Sequence, residues 1–158
     1  MDFSSLVKPD LILESLDAAS RMDALTQMAE YLRRRGYVKE SFAEAILARE
    51  QAHPSGLPME GHKIAIPHTD AEHVEQSAIL FARLIKPVQF QCMGEPDLTI
   101  DVQLISMFAL KEAKQIGDLL GALITLYQDS EALDRILNAP DAVTIYRELK
   151  TGVALVNG

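Results

Sequence analysis

The sequence predicts an α/β domain built in three layers, a mixed β-sheet with helices on both faces. Three observations carry that prediction. Hydrophobic residues recur at helical spacing in both flanks of the chain and at strand-like spacing in its middle. The length of 158 residues suits one folding unit, residues 1–158, with a single substantial core. The composition, 48% hydrophobic and 24% charged, is that of a folded globular chain rather than a disordered one.

The elements follow in order. A short apolar segment at residues 11–13 precedes SRMDALTQMAEYLRRRG, where Ser20 and Asp23 pattern a helix start. Met22, Leu25, Met28, Ala29 and Leu32 then fall on one face, and Gly36 ends the helix. KESFAEAILAREQ reads as a second helix, with Ser41 and Glu44 as its capping pair, Phe42, Ala45 and Ile46 inward, and Arg49 in its last turn. Residues 53–58, HPSGLP, are turn and loop chemistry, because two prolines and a glycine interrupt either regular structure. Strands are predicted at residues 64–66, 78–84 and 98–108, rich in Ile, Leu, Val and Phe. Three helical patterns close the chain: Ile116 to Ile124; Leu133, Ile136 and Leu137 after the cap candidate Ser130; and Val143, Tyr146 and Leu149 after Pro140. There is no tandem repeat and no low-complexity tract.

Charge narrows the function. The net charge is −8, and the one basic run, Arg33-Arg34-Arg35, sits at a helix end where cations complement the dipole, so nucleic acid is not an expected partner. No apolar run approaches the roughly 20 residues that span a bilayer, and MDFSSLVKPD lacks the pattern of a signal peptide. A cytoplasmic location without membrane insertion is expected. Cys92 is the single cysteine, without a CxxC partner or an adjacent histidine, and reads as a structural thiol.

Phosphate-binding GxxxxGK[ST], dinucleotide GxGxxG, GxSxG and HExxH motifs are all absent. The chemistry therefore rests on His53, His62, His68 and His73, which are the only histidines. Three imidazoles can ligate zinc, with Asp70 and Glu72 as further candidates. Spacings of six and five around Pro67 do not place them on one helix face, so no metal is expected. His53, His62 and His73 read more simply as solvated loop residues.

His68 is different. Ile64, Ala65 and Ile66 anchor a strand, and Pro67 ends it by removing a ladder donor, so an imidazole is delivered to the sheet rim. A neutral imidazole is a nucleophile without a separate base, because its ordinary pKa is about 6.5. Phosphoryl transfer would also need cations or donors around it, and Arg49 and Ser55 lie upstream in the chain. Their bland alternatives are a dipole-compensating arginine and a turn serine.

The run AILAREQAHPSGLPMEGHKIAIPHTDAEH resembles the active-site region of enzyme IIA domains of the phosphoenolpyruvate-dependent sugar phosphotransferase system, in the fructose/mannitol-type superfamily. The resemblance lies in L-x-R-E at residues 47–50, P-S-G at 54–56 and A-I-P-H at 65–68, and extends more weakly to K-E-A-x-Q-x-x-x-L-L at 111–120. It implies that His68 accepts a phosphoryl group from the carrier protein HPr and passes it to a cysteine of a cognate enzyme IIB, with no cofactor. It implies that Arg49 supports the phosphoryl group, and that Ser55 keeps a hydroxyl where threonine is usual. Gln115 stands where mannitol and fructose types carry a second histidine, and is a candidate site-lining residue. That departure and the long 55–68 loop resemble the galactitol type. Some members of the superfamily act instead as regulatory phosphoproteins, and the same His68 would serve that role.

Overall fold

In the computed structural model, residues 2–156 are described. The sheet is built around one long antiparallel hairpin, β4 (Ala78–Cys92) and β5 (Glu95–Ala109), after three shorter strands, β1 (Ile12–Leu16), β2 (Gly56–Met59) and β3 (His62–Ala65). β1 runs parallel to β4, and β3 runs parallel to β5 while pairing antiparallel with β2. Gly56 of β2 also meets Cys92 at the far end of β4, so β4, β5, β3 and β2 close a circuit of pairings. The sheet is mixed, as the sequence predicts.

Alternation along the strands produces two cores. Leu80 and Ala82 of β4 face one side, where Leu25, Met28 and Leu32 of α1 (Arg21–Arg34) and Phe42 and Ile46 of α2 (Ser41–Ala52) cover them. Ile79 and Phe81 face the other, with Ile64, Ile66, Leu104 and Phe108. That side is covered by α3 (Ile116–Tyr127), α4 (Ser130–Leu137) and α5 (Ala142–Val156), through Leu119, Leu123, Leu133, Ile136, Ile145 and Leu149. Each face buries several Leu, Ile or Phe side chains worth about 1.5–3 kcal/mol apiece.

Several local expectations are corrected. The strand predicted at 78–84 continues to Cys92, across a bulge in which residues 84–87 face Gln103 alone. Pro87 and the exposed Ile85 in that bulge break the alternation a sequence reading relies on. The strand predicted at 98–108 starts at Glu95, and the one predicted at 64–66 is His62–Ala65. Residues 56–59, assigned to a loop, form β2. Pro58 is tolerated there because, beyond Gly56, only the β3 side of the strand is paired. The helix starts also differ. Ser20 caps α1, accepting from Asp23 N at 3.1 Å, but Ser41 bonds His73 Nδ1 at 2.8 Å instead of capping α2. Asp129 rather than Ser130 caps α4, accepting from the amides of Glu131 and Ala132. No helix among the described residues is long and apolar enough to cross a membrane.

Candidate active site

The chain delivers His68 to the end of the sheet through two backbone bonds. After β3, Ile66 N donates to Ser55 O at 3.1 Å, and Phe108 N donates to Pro67 O at 3.2 Å. Pro67 itself has no donor to give, so the ladder ends and the next side chain is free to turn outward. The His68 ring then lies on the buried Phe108 ring, centroids 4.6 Å apart and planes 13° from parallel. Its Nδ1 is 3.1 Å from Ile66 O. A carbonyl only accepts, so Nδ1 carries the proton and Nε2 keeps its lone pair. Burial holds the imidazole pKa below its ordinary value, and the Arg49 charge adds to this, while the bond to the Ile66 carbonyl and the Asp70 charge oppose it. The resting ring is a neutral nucleophile at pH 7.

His68 opens into a cavity of about 230 Å³ that Arg49, Glu50, His53, Ser55, Met93 and Leu120 also line. Arg49 stands in the last turn of α2 and forms no ion pair among the described residues. A guanidinium held beside a nucleophile with its donors uncommitted is suited to a phosphoryl group. Ser55 is buried, and both of its donors point at one carboxylate: N to Glu50 Oε2 at 2.9 Å and Oγ to Glu50 Oε1 at 2.6 Å. Its hydroxyl proton is thus engaged by Glu50. Glu50 is only 2% exposed, and burial pushes its carboxyl pKa up against the two Ser55 bonds that lower it.

The structure brings Arg49, Ser55 and His68 to one cavity, and among the further residues lining it are two titratable ones the sequence reading did not assign to it, Glu50 and His53. Glu50 was visible only as the neighbour of Arg49 in L-x-R-E; the signal available was a charged residue at an inward position of α2. His53, read as loop polarity, is the C-terminal cap position of α2 and lines the cavity from there. Gln115 does not line it. Gln115 sits at the start of α3, and the helix reaches the cavity with Leu120 instead. The other histidines diverge: His62 Nε2 bonds Asp134 Oδ1 at 2.5 Å, and His73 Nδ1 bonds Ser41 Oγ. No cluster of three or more His, Cys, Asp or Glu suited to a metal ion occurs among the described residues. A larger cavity of about 450 Å³ lies at the β4 bulge, near His62 and Arg83. The Arg83 guanidinium is engaged there with the carbonyls of Glu14, Ile136, Leu137 and Ala139.

Residues 5–152 match the family model for the phosphoenolpyruvate-dependent sugar phosphotransferase system, EIIA 2. The chain belongs to that enzyme IIA family. Its members are phosphotransferase components that transfer phosphate between proteins. This enzyme IIA domain is 28% identical over 130 residues to the galactitol-specific EIIA component of Escherichia coli strain K12, covering 82% of this chain and 86% of that protein. It is 29% identical over 153 residues to a nitrogen regulatory protein of Bradyrhizobium diazoefficiens, covering 94% and 95% respectively. The fold matches that of IIA mannitol from Escherichia coli with a TM-score of 0.75 at 21% identity, over 90% of this chain and 97% of that one. It matches equally the IIA chain solved in complex with phosphorylated enzyme IIB of the mannitol system, TM-score 0.75 at 21% identity, over 90% and 95%.

Proposed function

We propose that this enzyme IIA domain is a cytoplasmic phosphoryl carrier that takes phosphate from phospho-HPr on His68 Nε2 and hands it to a cysteine of a cognate enzyme IIB. One observation carries the reading: Nδ1 is committed to the Ile66 carbonyl, so Nε2 is the nitrogen with a lone pair to attack phosphorus. In the first step the His68 Nε2–P bond forms as the donor's N–P bond breaks, and the donor imidazole leaves with its electron pair. In the second step an enzyme IIB thiolate attacks the same phosphorus and His68 leaves with the pair. No proton has to move in either step, because Nδ1–H stays on Ile66 O throughout.

The ring becomes partly cationic when phosphorylated, which strengthens the Nδ1–H···O=C bond when it is needed. Arg49 offsets the phosphoryl charge and holds its oxygens in line; such preorganised donors contribute about 10²–10³ in rate. The similarity to a galactitol-specific component supports a sugar or polyol transport relay, galactitol-like. A regulatory role is the second reading, supported by the near full-length similarity to a nitrogen regulatory protein.

The test is incubation with phosphoenolpyruvate, enzyme I and HPr. One acid-labile phosphate per chain is expected, lost in His68→Ala and kept in His62→Ala and His73→Ala. Labelling that persists without His68 overturns the assignment. Onward transfer to an enzyme IIB cysteine separates the carrier from the regulator.

A further inference from the structure

The bonds around His68 form one connected path that starts at a residue outside the proposed chemistry. Both Glu50 carboxylate oxygens accept from Ser55, at 2.9 and 2.6 Å. The Ser55 carbonyl accepts from Ile66 N at 3.1 Å, and the Ile66 carbonyl faces His68 Nδ1 at 3.1 Å. Glu50 and Ser55 are both buried, so neither has water as a ready substitute partner.

We propose that Glu50 is the positioning residue of this site, fixing the loop that presents Ser55 and, through it, the tautomer of His68. The proposal rests on the phosphoryl-carrier reading and deepens it. Burying a carboxylate is costly, and a serine loop alone does not require one. The buried carboxylate accepts from the amide and the hydroxyl of one residue through a different oxygen for each, which pins both the position and the rotation of that residue. Release of that grip lets the Ser55 peptide turn, and the Ser55 O to Ile66 N bond loosens. The Ile66 carbonyl then no longer selects Nδ1–H, and Nε2 acquires the proton in part of the population. A protonated Nε2 has no lone pair for phosphorus.

Glutamine separates geometry from charge. In Glu50→Gln the side-chain oxygen still accepts from Ser55 N, and the amide NH₂ donates to Ser55 Oγ. Glu50→Leu keeps comparable apolar volume and removes both acceptors. The readout is the ¹⁵N spectrum of the His68 ring in the unphosphorylated protein, alongside the rate of labelling from phospho-HPr. Wild type is expected to show one tautomer, with Nδ1 protonated. Glu50→Gln should retain that signature and most of the rate. Glu50→Leu should show mixed tautomers and at least a tenfold slower rate while its circular dichroism stays native.

A folded Glu50→Leu protein with a wild-type His68 spectrum overturns the proposal, and so does a Glu50→Gln spectrum as mixed as that of Glu50→Leu. If Glu50→Leu does not fold, Ser55→Ala reads the same path from its other end: it deletes the 2.6 Å bond and should give a partial tautomer shift. An unchanged ring spectrum there counts against the proposal. A wild-type protein that takes no phosphate refutes the carrier reading alone, because the tautomer is measured without phosphate.

Discussion

Replacing Phe108 with alanine takes away the plate on which His68 rests. Phe108 is fully buried at the end of β5, with its ring stacked on the imidazole at 4.6 Å. A buried Phe→Ala change costs about 3–5 kcal/mol, of which the lost aromatic pairing is about 0.5–1.5 kcal/mol. For a chain of this size each kcal/mol lowers Tm by about 2–4 °C, so calorimetry should record a fall of about 6–20 °C. The Phe108 N to Pro67 O bond uses backbone only, so His68 remains tethered.

Burial is the largest cause of the depressed His68 pKa, and opening the floor to water should move it up toward about 6.5. The sign follows from linkage: a depressed folded-state pKa gives stability that is whole above about pH 6.5 and is lost as pH falls through the folded value. In Phe108→Ala that window narrows. At pH 6 more of the ring is protonated, so labelling by phospho-HPr should slow more at pH 6 than at pH 8. NMR titration of the His68 ring measures the midpoint directly. A midpoint unchanged from wild type, in a variant that has lost several kcal/mol, would refute Phe108 as the source of the desolvation.

Arg49→Ala should slow phosphoryl acceptance by about 10²–10³ while shifting the urea midpoint by an amount equivalent to no more than about 0.5 kcal/mol. A rate within twofold of wild type would return Arg49 to a dipole-compensating role. Gly56→Ala would place a Cβ 2.6 Å from the backbone oxygen of Gln91, which cannot swing away, and 3.2 Å from the Ile100 side chain at Cδ1. The expected cost is about 1–3 kcal/mol. Faster exchange at the Met93 amide, which donates to Gly56 O at 2.8 Å, would locate the damage, and unchanged protection would contradict it. Ser106 Oγ and Tyr127 OH form a buried pair at 2.6 Å between β5 and α3. Tyr127→Phe strands the serine hydroxyl and should cost about 1–3 kcal/mol, whereas Ser106→Ala with Tyr127→Phe should recover most of it. Additive losses in urea unfolding would show that the bond is not the coupling.

The sequence was most readable where one local rule acted alone. The face of α1 at Leu25, Met28 and Leu32 is buried as its period requires, and Ser20 caps it as its residue type requires. It was least readable where two polar groups competed for the same work. Ser41 and Ser130 both had capping chemistry, yet His73, 32 residues away and invisible to local spacing, captured one, and Asp129, the adjacent residue and an equally good cap, displaced the other. β2 was hidden for a different reason. Pro58 is a strand breaker unless its second edge is unpaired, and that depends on where β4 ends.

The same division runs through the site. Pro67 followed by His68 already set a strand end carrying an imidazole, because proline's missing donor is a property of the residue itself. Arg49 was legible in the last turn of its helix because Pro54 and Gly56 stop that helix soon after it. What only the tertiary structure decided was the company these residues keep. Leu120 rather than Gln115 reaches the cavity, Glu50 holds Ser55, and Phe108 floors the ring. Phe108 and Leu120 come from segments tens of residues beyond His68, placed by sheet register and helix packing that no local pattern encodes, while Glu50 and Ser55 are only five residues apart but are turned toward each other by the loop between α2 and β2. The tautomer of His68 turns on a carbonyl only two residues away, Ile66 O at 3.1 Å from Nδ1, yet it takes the folded backbone to aim that carbonyl at the ring.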